Sequence, residues 1–307
     1  MSKADRKSSR DAPITSEELD GYIASQDDFA LELYVYHSAL SKGLTASHGG
    51  TYEDPITSKP RQFDVRIRAR RETYMVSLAV ECKSLRASFP LVVSRIPRSD
   101  SESVQYVIWA RMESAAETTA SRTPPLLRAD GMLTWGKKCL YKPGEPVGKS
   151  TAQIQRTEQG NLKGGGDAEI YDKWTQALGS AGDLVSQAKH GYMGYGLTEC
   201  FTIVLPVLVV ADATLWVVDY ATDGSRKKPT AVNETTLYVD RKYESKAGLS
   251  EFSLTHLHIY TKTGFDDLLA KLKSDARFWR RLFADLKGKT PTSPKPTSRM
   301  STSKSGQ

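Results

Sequence analysis

Cysteine is scarce: Cys82, Cys139 and Cys200 are the only three in 307 residues, and no two form a CxxC pair. That scarcity excludes a disulfide framework and a thiolate zinc site, and points to reduced thiols in a cytoplasmic protein. Long apolar runs are missing too. The longest, Phe201 to Ala211, is interrupted by Pro206 and followed by Asp212, too short and broken for a bilayer span. The N-terminus is Lys/Arg/Ser-rich with no apolar stretch, so no signal peptide is expected. Acid is absent from residues 287–307, which carry Lys287, Lys289, Lys295, Arg299 and Lys304. Residues 1–12 add four basic residues against Asp5 and Asp11, so the two tails account for the whole formal charge of +7 and the body is neutral. Charge therefore identifies no nucleic-acid partner by itself. Both ends, 1–13 and 287–307, have the composition of disordered tails.

What is present is a patterned body over 14–286, read as one α/β domain. Ser25-x-x-Asp28 has capping-box spacing and Gly43 is a stop, predicting a helix over about 28–42 with an apolar stripe of Phe29, Leu33, Tyr36 and Leu40. Residues 62–70 and 74–83 read as strands joined by a tight polar turn. Residues 84–150 are of mixed character, with one strand at Ser103–Ala110, and are read as an insertion. A helix follows at 167–190, its apolar face running Ile170, Trp174, Leu178, Ala181, Val185 and Ala188. Strands at 201–210 and 214–220 read as a hairpin turning at Asp212, with weaker strands at 235–239 and 253–260. A last helix spans 263–286.

Chemistry concentrates in two short segments. Alternation places Met75, Ser77, Ala79, Glu81 and Lys83 on one face of their strand, opposite Val76, Leu78, Val80 and Cys82. If Glu72 and Thr73 form a two-residue loop, opposed residues sum to 145 and Asp64 faces Glu81, about 5 Å away at Cβ. Two carboxylates so close repel unless a cation lies between them, and Mg²⁺ suits one or two carboxylates with phosphate oxygens and water. Lys83, two residues on, is placed to contact a scissile phosphate or to lower the pKa of an attacking water. Glu32 falls within the apolar stripe of the first helix. It either coordinates the same cation or snorkels at a boundary.

Asp64, a hairpin, then Glu81-Cys82-Lys83, preceded by a helix bearing Glu32, resembles the PD-(D/E)XK (restriction-endonuclease-like) nuclease superfamily. The resemblance covers about residues 28–83 by motif and 167–220 by element order, and Phe63 stands where that pattern has Pro. It implies a central mixed β-sheet flanked by helices, interrupted after the Glu-x-Lys strand by the insertion at 84–150. It also implies Mg²⁺ dependence, with Mn²⁺ able to substitute, and DNA as the usual substrate. Asp64, Glu81 and the Cys82 carbonyl would bind metal, with Lys83 catalytic and Glu32 assisting. The implied setting is defence or mobile-element biology, with a regulatory partner or homodimer. Arg61, Gln62, Lys149, Lys173 and Gln176 are candidate nucleic-acid contacts. A non-catalytic nucleic-acid-binding or scaffolding subunit, or an RNA-directed nuclease, are the alternatives.

Other signals are set aside. Gly144 to Ser150 imitates a P-loop but has three residues between its glycines instead of four. His256 and His258 share a strand face without a third ligand and read as outward residues of an edge strand. Lys271, Lys273, Arg277, Arg280 and Arg281 read as the solvated face of the last helix.

Overall fold

The computed structural model describes residues 12–25, 27–113, 126–136, 139–165, 168–188, 197–243, 252–284 and 286. Both expected tails lie largely outside these. Helices α1 (Ser16–Ser25) and α2 (Asp28–Ser41) precede strands β1 (Thr45–Glu53), β2 (Pro60–Arg71) and β3 (Tyr74–Lys83). Strands β4 (Leu91–Pro97), β5 (Val104–Glu113), β6 (Leu126–Trp135), β7 (Pro146–Arg156) and β8 (Leu162–Gly164) follow, and then helix α3 (Ala168–Ala188). The chain continues with β9 (Glu199–Val210), β10 (Leu215–Asp219), β11 (Thr230–Ala231), β12 (Glu234–Tyr243) and β13 (Phe252–Thr261). It closes with α4 (Lys262–Ser274) and α5 (Ala276–Leu282).

The strands form one mixed sheet of thirteen, ordered β1-β2-β3-β9-β13-β12-β7-β4-β10-β11, with β5 paired to β9, β6 to β5 and β8 to β7. The α/β class with a large mixed sheet flanked by helices is therefore observed. Strand β3 sits between β2 (antiparallel) and β9 (parallel, ten residue pairs), which is why its inner eight residues are all buried. Its odd and even positions face opposite layers. Val76, Leu78, Val80 and Cys82 pack with Leu31, Val35 and Ala39 of α2 and with the apolar faces of α4 and α5. Met75 and Ala79 pack under Leu178, Ala181 and Val185 of α3.

Several expectations are corrected. Segment 84–150 contributes β4 to β7, which pair into the central sheet. Strands β9 and β10 do not form a hairpin, because β9 is paired on one side with β3 and on the other with β5 and β13, while β10 lies between β4 and β11. The buried stripe of α2 is Leu31, Val35 and Ala39, while Phe29 is 60% and Leu40 40% exposed. Glu32 thus borders the buried stripe instead of interrupting it. The cap of α2 is Asp27, whose carboxylate accepts from the Ala30 N–H at 2.8 Å, and not Ser25. Gly43 ends the helix as expected, with φ of 71° and its N–H donating to the Leu40 carbonyl. The last helix breaks at Asp275, whose carboxylate caps α5 through the N–H groups of Arg277 and Phe278. His256 and His258 lie on β13, which runs between β9 and β12, and are buried. Burial pushes their pKa values down to about 2 and about 4, so both rings are neutral. Gly144 turns the chain into β7, a strand where a P-loop would need a helix.

Candidate active site

The β2–β3 hairpin has the register that a two-residue loop requires. Arg71 opposes Tyr74 and the ladder runs back to Val65 opposite Val80. Glu72, in the loop, takes a φ of 55°, the left-handed geometry of a tight hairpin turn. One step beyond the last ladder pair, the Asp64 side chain accepts the Cys82 N–H at 2.8 Å. Asp64 is thereby held against the strand that carries Glu81, on the α3 side of the sheet.

Helix α3 meets that side through a polar strip. Its Lys173 reaches Asp64, its Ser180 and Asp183 reach Arg66, and its Gln187 reaches Arg68. Residues 64, 66 and 68 share one face of β2, so successive turns of the helix meet successive residues of that face. Ser180 is fully buried in this strip. Arg66 is buried beside Asp183 at 2.8 Å and over the Phe63 ring at 4.2 Å. Its ion pair and ring contact tie α3 to the sheet next to the carboxylates.

Lys173 defines the electrostatics. Its ammonium donates to Asp64 Oδ2 at 2.8 Å and lies 3.6 Å from Glu81 Oε2. Glu81 is fully buried, and among the described residues neither of its carboxylate oxygens has a hydrogen-bond partner. Burial, then the charge of Asp64, raises its pKa well above the ordinary carboxylate value, with Lys173 opposing. For Lys173, burial disfavours the ammonium, but Asp64 and Glu81 outweigh it and raise the pKa. Glu32 is raised by burial and then by Asp64, while His48 Nε2 lies 3.0 Å from its Oε2.

The other expected residues are distributed more widely. Lys83 is held by Asp28 at 3.2 Å, and the second Asp28 oxygen accepts the Ser84 N–H at 2.6 Å. The N-terminal turn of α2 thus fixes the end of β3. Arg61 and Gln62 are exposed on β2, just before Asp64. Gln176 lies one turn after Lys173, and its backbone carbonyl accepts from Tyr52 at 3.3 Å. Lys149 lies apart from the carboxylates. It sits on β7, separated from β3 in the sheet by β9, β13 and β12, where it pairs with Glu102 and lies over the Tyr238 ring. Sequence reasoning assigned Lys173 to substrate and missed its place between the carboxylates. The available signal was its spacing from Ser180, Asp183 and Gln187, which return at helical intervals as a polar strip beside the apolar face of α3.

This donor set suits a hard divalent cation. An ammonium already occupies the space between two carboxylates, and Glu81 keeps two buried oxygens without hydrogen-bonded partners. Among the described residues no three His, Cys, Asp or Glu side chains converge as a ready-made cage. Mg²⁺ needs no such cage, since one or two carboxylates plus water and phosphate oxygens suffice. Among the described residues no helix is long and apolar enough to cross a membrane. The chain matches no family model, no curated protein and no solved structure.

Proposed function

We propose that the protein is a Mg²⁺-dependent phosphodiesterase, an endonuclease of the restriction-endonuclease-like type, acting on DNA through Asp64, Glu81 and Lys173. The observation that carries this reading is the buried, unbonded Glu81 carboxylate beside Asp64, with a cation's charge supplied between them by Lys173. A carboxylate is retained in such a place at a cost of several kcal/mol, a cost offset by a bound cation.

Asp64, Glu81 and the Cys82 carbonyl would hold the cation, with Mn²⁺ able to replace Mg²⁺. When bound, it supplies charge neutralisation and activation of water in an in-line displacement. Asp64 is fixed by the Cys82 N–H, so its second oxygen is oriented without reorganisation at the moment of reaction. Lys173 opposes the rise in the Glu81 pKa and offers positive charge to the phosphate. The hydrolysis forms one P–O bond from water and breaks another, with a proton passing to the leaving sugar oxygen. Glu32 and His48, joined at 3.0 Å, form a second polar pair whose charge couples to Asp64. Arg61 and Gln62, exposed beside Asp64, are placed to meet the phosphate backbone.

A second reading is favoured by the same Lys173 contact: the triad is a structural ion cluster, and the protein binds nucleic acid without cutting it. The test is cleavage of supercoiled plasmid, and of a matched RNA, with Mg²⁺ or Mn²⁺ against EDTA, beside Glu81→Gln. Metal-dependent nicking lost in the variant supports the enzyme. Intact plasmid and RNA under every metal support the binding subunit, and cleavage of RNA alone moves the substrate to RNA.

A further inference from the structure

On the opposite face of the sheet from Asp64 and Glu81, a cavity of about 880 Å³ opens between β12, β13, the Cys139–Pro146 segment and the helices α4 and α5. Its size is that of a small-molecule site. Leu205 and Tyr260, which line it, belong to the layer packed by α4 and α5, whereas Glu81 faces α3. Nothing in the proposed phosphodiesterase chemistry uses this cavity.

Its lining has two parts. The floor is apolar and aromatic, built from Leu205, Leu268, Tyr260, Phe278 and Tyr141. The rim is basic: of the lining residues seven are Lys or Arg and two are Glu. Among the described residues no carboxylate lies within ion-pair distance of Lys271, Arg277, Arg280 or Arg281. These are the basic residues read from the sequence as a merely solvated helix face, and the fold instead gathers four of them along one wall.

Arg98, deeper in the cavity, is the stronger sign. Its side chain is 3% exposed, and its one ion pair among the described residues, to Glu145 at 3.5 Å, goes to a carboxylate that is itself 52% exposed. The guanidinium also donates to the Lys142 carbonyl and the Thr236 hydroxyl, each at 3.1 Å, and lies 5.4 Å from the centre of the Tyr141 ring, so the charge is buried with a single long, half-exposed carboxylate as its counter-ion. Two buried polar atoms of lining residues, Arg98 Nε and Thr235 Oγ1, have no hydrogen-bond partner among the described residues. A hydrocarbon chain would leave both unpaired. A flat heteroaromatic ring carries edge donors and acceptors, and its faces suit an aromatic floor.

We propose that this cavity is a nucleotide-binding site, taking the base against the aromatic floor and the phosphates against Arg98 and the α5 arginines. Arginine is suited to the role, since its planar fork meets phosphate oxygens two at a time. The same chemistry is offered by a free nucleotide and by the phosphorylated end of a single strand.

The test is calorimetric titration of the full chain in EDTA, which keeps the carboxylate site free of metal. The probes are ATP, adenosine, tripolyphosphate and a short 5′-phosphorylated oligodeoxynucleotide. Expected is one-to-one binding of ATP, with adenosine and tripolyphosphate each weaker by about tenfold or more. Arg277→Ser combined with Arg280→Ser, both exposed, should weaken ATP by about tenfold at unchanged Tm, while Glu81→Gln leaves it unchanged. An oligonucleotide that competes with ATP and binds more tightly assigns the site to a strand end, and one that fails to compete assigns it to the free nucleotide. No heat with ATP up to about 1 mM would overturn the proposal. Tripolyphosphate binding as well as ATP, or an unaffected double variant, would overturn it too, reducing the rim to a general anion patch. Because Glu81→Gln is silent here, failure at this cavity and failure of the phosphodiesterase reading are separable.

Discussion

Replacing Lys173 with Met keeps most of the side-chain volume and removes the charge between Asp64 and Glu81. At an effective dielectric of about 20, an ammonium 2.8 Å from one carboxylate and 3.6 Å from the other gains roughly 6 and 5 kcal/mol. Most of that offsets the desolvation of the lysine, and breaking such a buried cluster typically leaves a net loss of about 3 kcal/mol. The loss depends on pH with a definite sign. Glu81 binds its proton more tightly folded than unfolded, so its contribution favours the native state at low pH and is lost as pH rises through its folded pKa. Without Lys173 that pKa rises further. The variant should therefore lose more at pH 8, about 3 kcal/mol, than at pH 5, because proton uptake by Glu81 on acidification reduces its need for the ammonium. In thermal unfolding this is a Tm drop of roughly 6 °C at the higher pH, at about 2 °C per kcal/mol for a long chain. Added Mg²⁺ should recover the loss, by about 2.7 kcal/mol at a hundred times its Kd. Equal destabilisation at both pH values without rescue by Mg²⁺ would refute the reasoning, since it would make Lys173 a packing residue and leave the carboxylates without a cation to share.

The remaining expectations concern the same site and the frame around it. Cleavage needs Glu81 ionised, so its rate should fall on acidification at a pH above the ordinary carboxylate value of about 4.3, and an acid limb at or below that value would contradict the burial of Glu81. Lys173→Met should reduce cleavage by more than about 100-fold and by more than Lys83→Met, because Lys173 touches both carboxylates while Lys83 is anchored on Asp28; the reverse ranking in a plasmid assay would return the catalytic lysine to β3. Gly264→Ala should destabilise by about 2 kcal/mol in urea unfolding, because a Cβ there would run into the Asn233 backbone carbonyl, and an unchanged midpoint would mean that the α4 terminus yields freely.

The hairpin was legible in the sequence because it is local. Strand alternation sorts residues by face, a two-residue loop fixes which pairs oppose, and both rules act over fewer than twenty residues. Asp64 and Glu81 were therefore placed on one side of one ladder before any tertiary contact was considered. Elements with strong periodicity, such as α3 and β9, were legible for the same reason. The stripe of α2 was misread because Phe29 and Leu40 look like core residues by type, yet which side of an amphipathic helix is buried depends on the surface it meets. Partners were not legible at all. Residues 201–220 look like a hairpin, and only competition for the edges of β9 by β3, β5 and β13 sends β10 across the sheet. Likewise His256 and His258 look like edge residues until β12 and β9 close over both sides of their strand.

By itself, then, the sequence determined the pair of carboxylates and the strand that presents them, since these follow from spacing along one short stretch of chain. Only the tertiary structure decided which cation stands between them and where the basic residues of α4 and α5 point. Lys173 is more than a hundred positions from Asp64 in the chain. Contacts at that separation are set by how whole faces pack, and no local pattern encodes them.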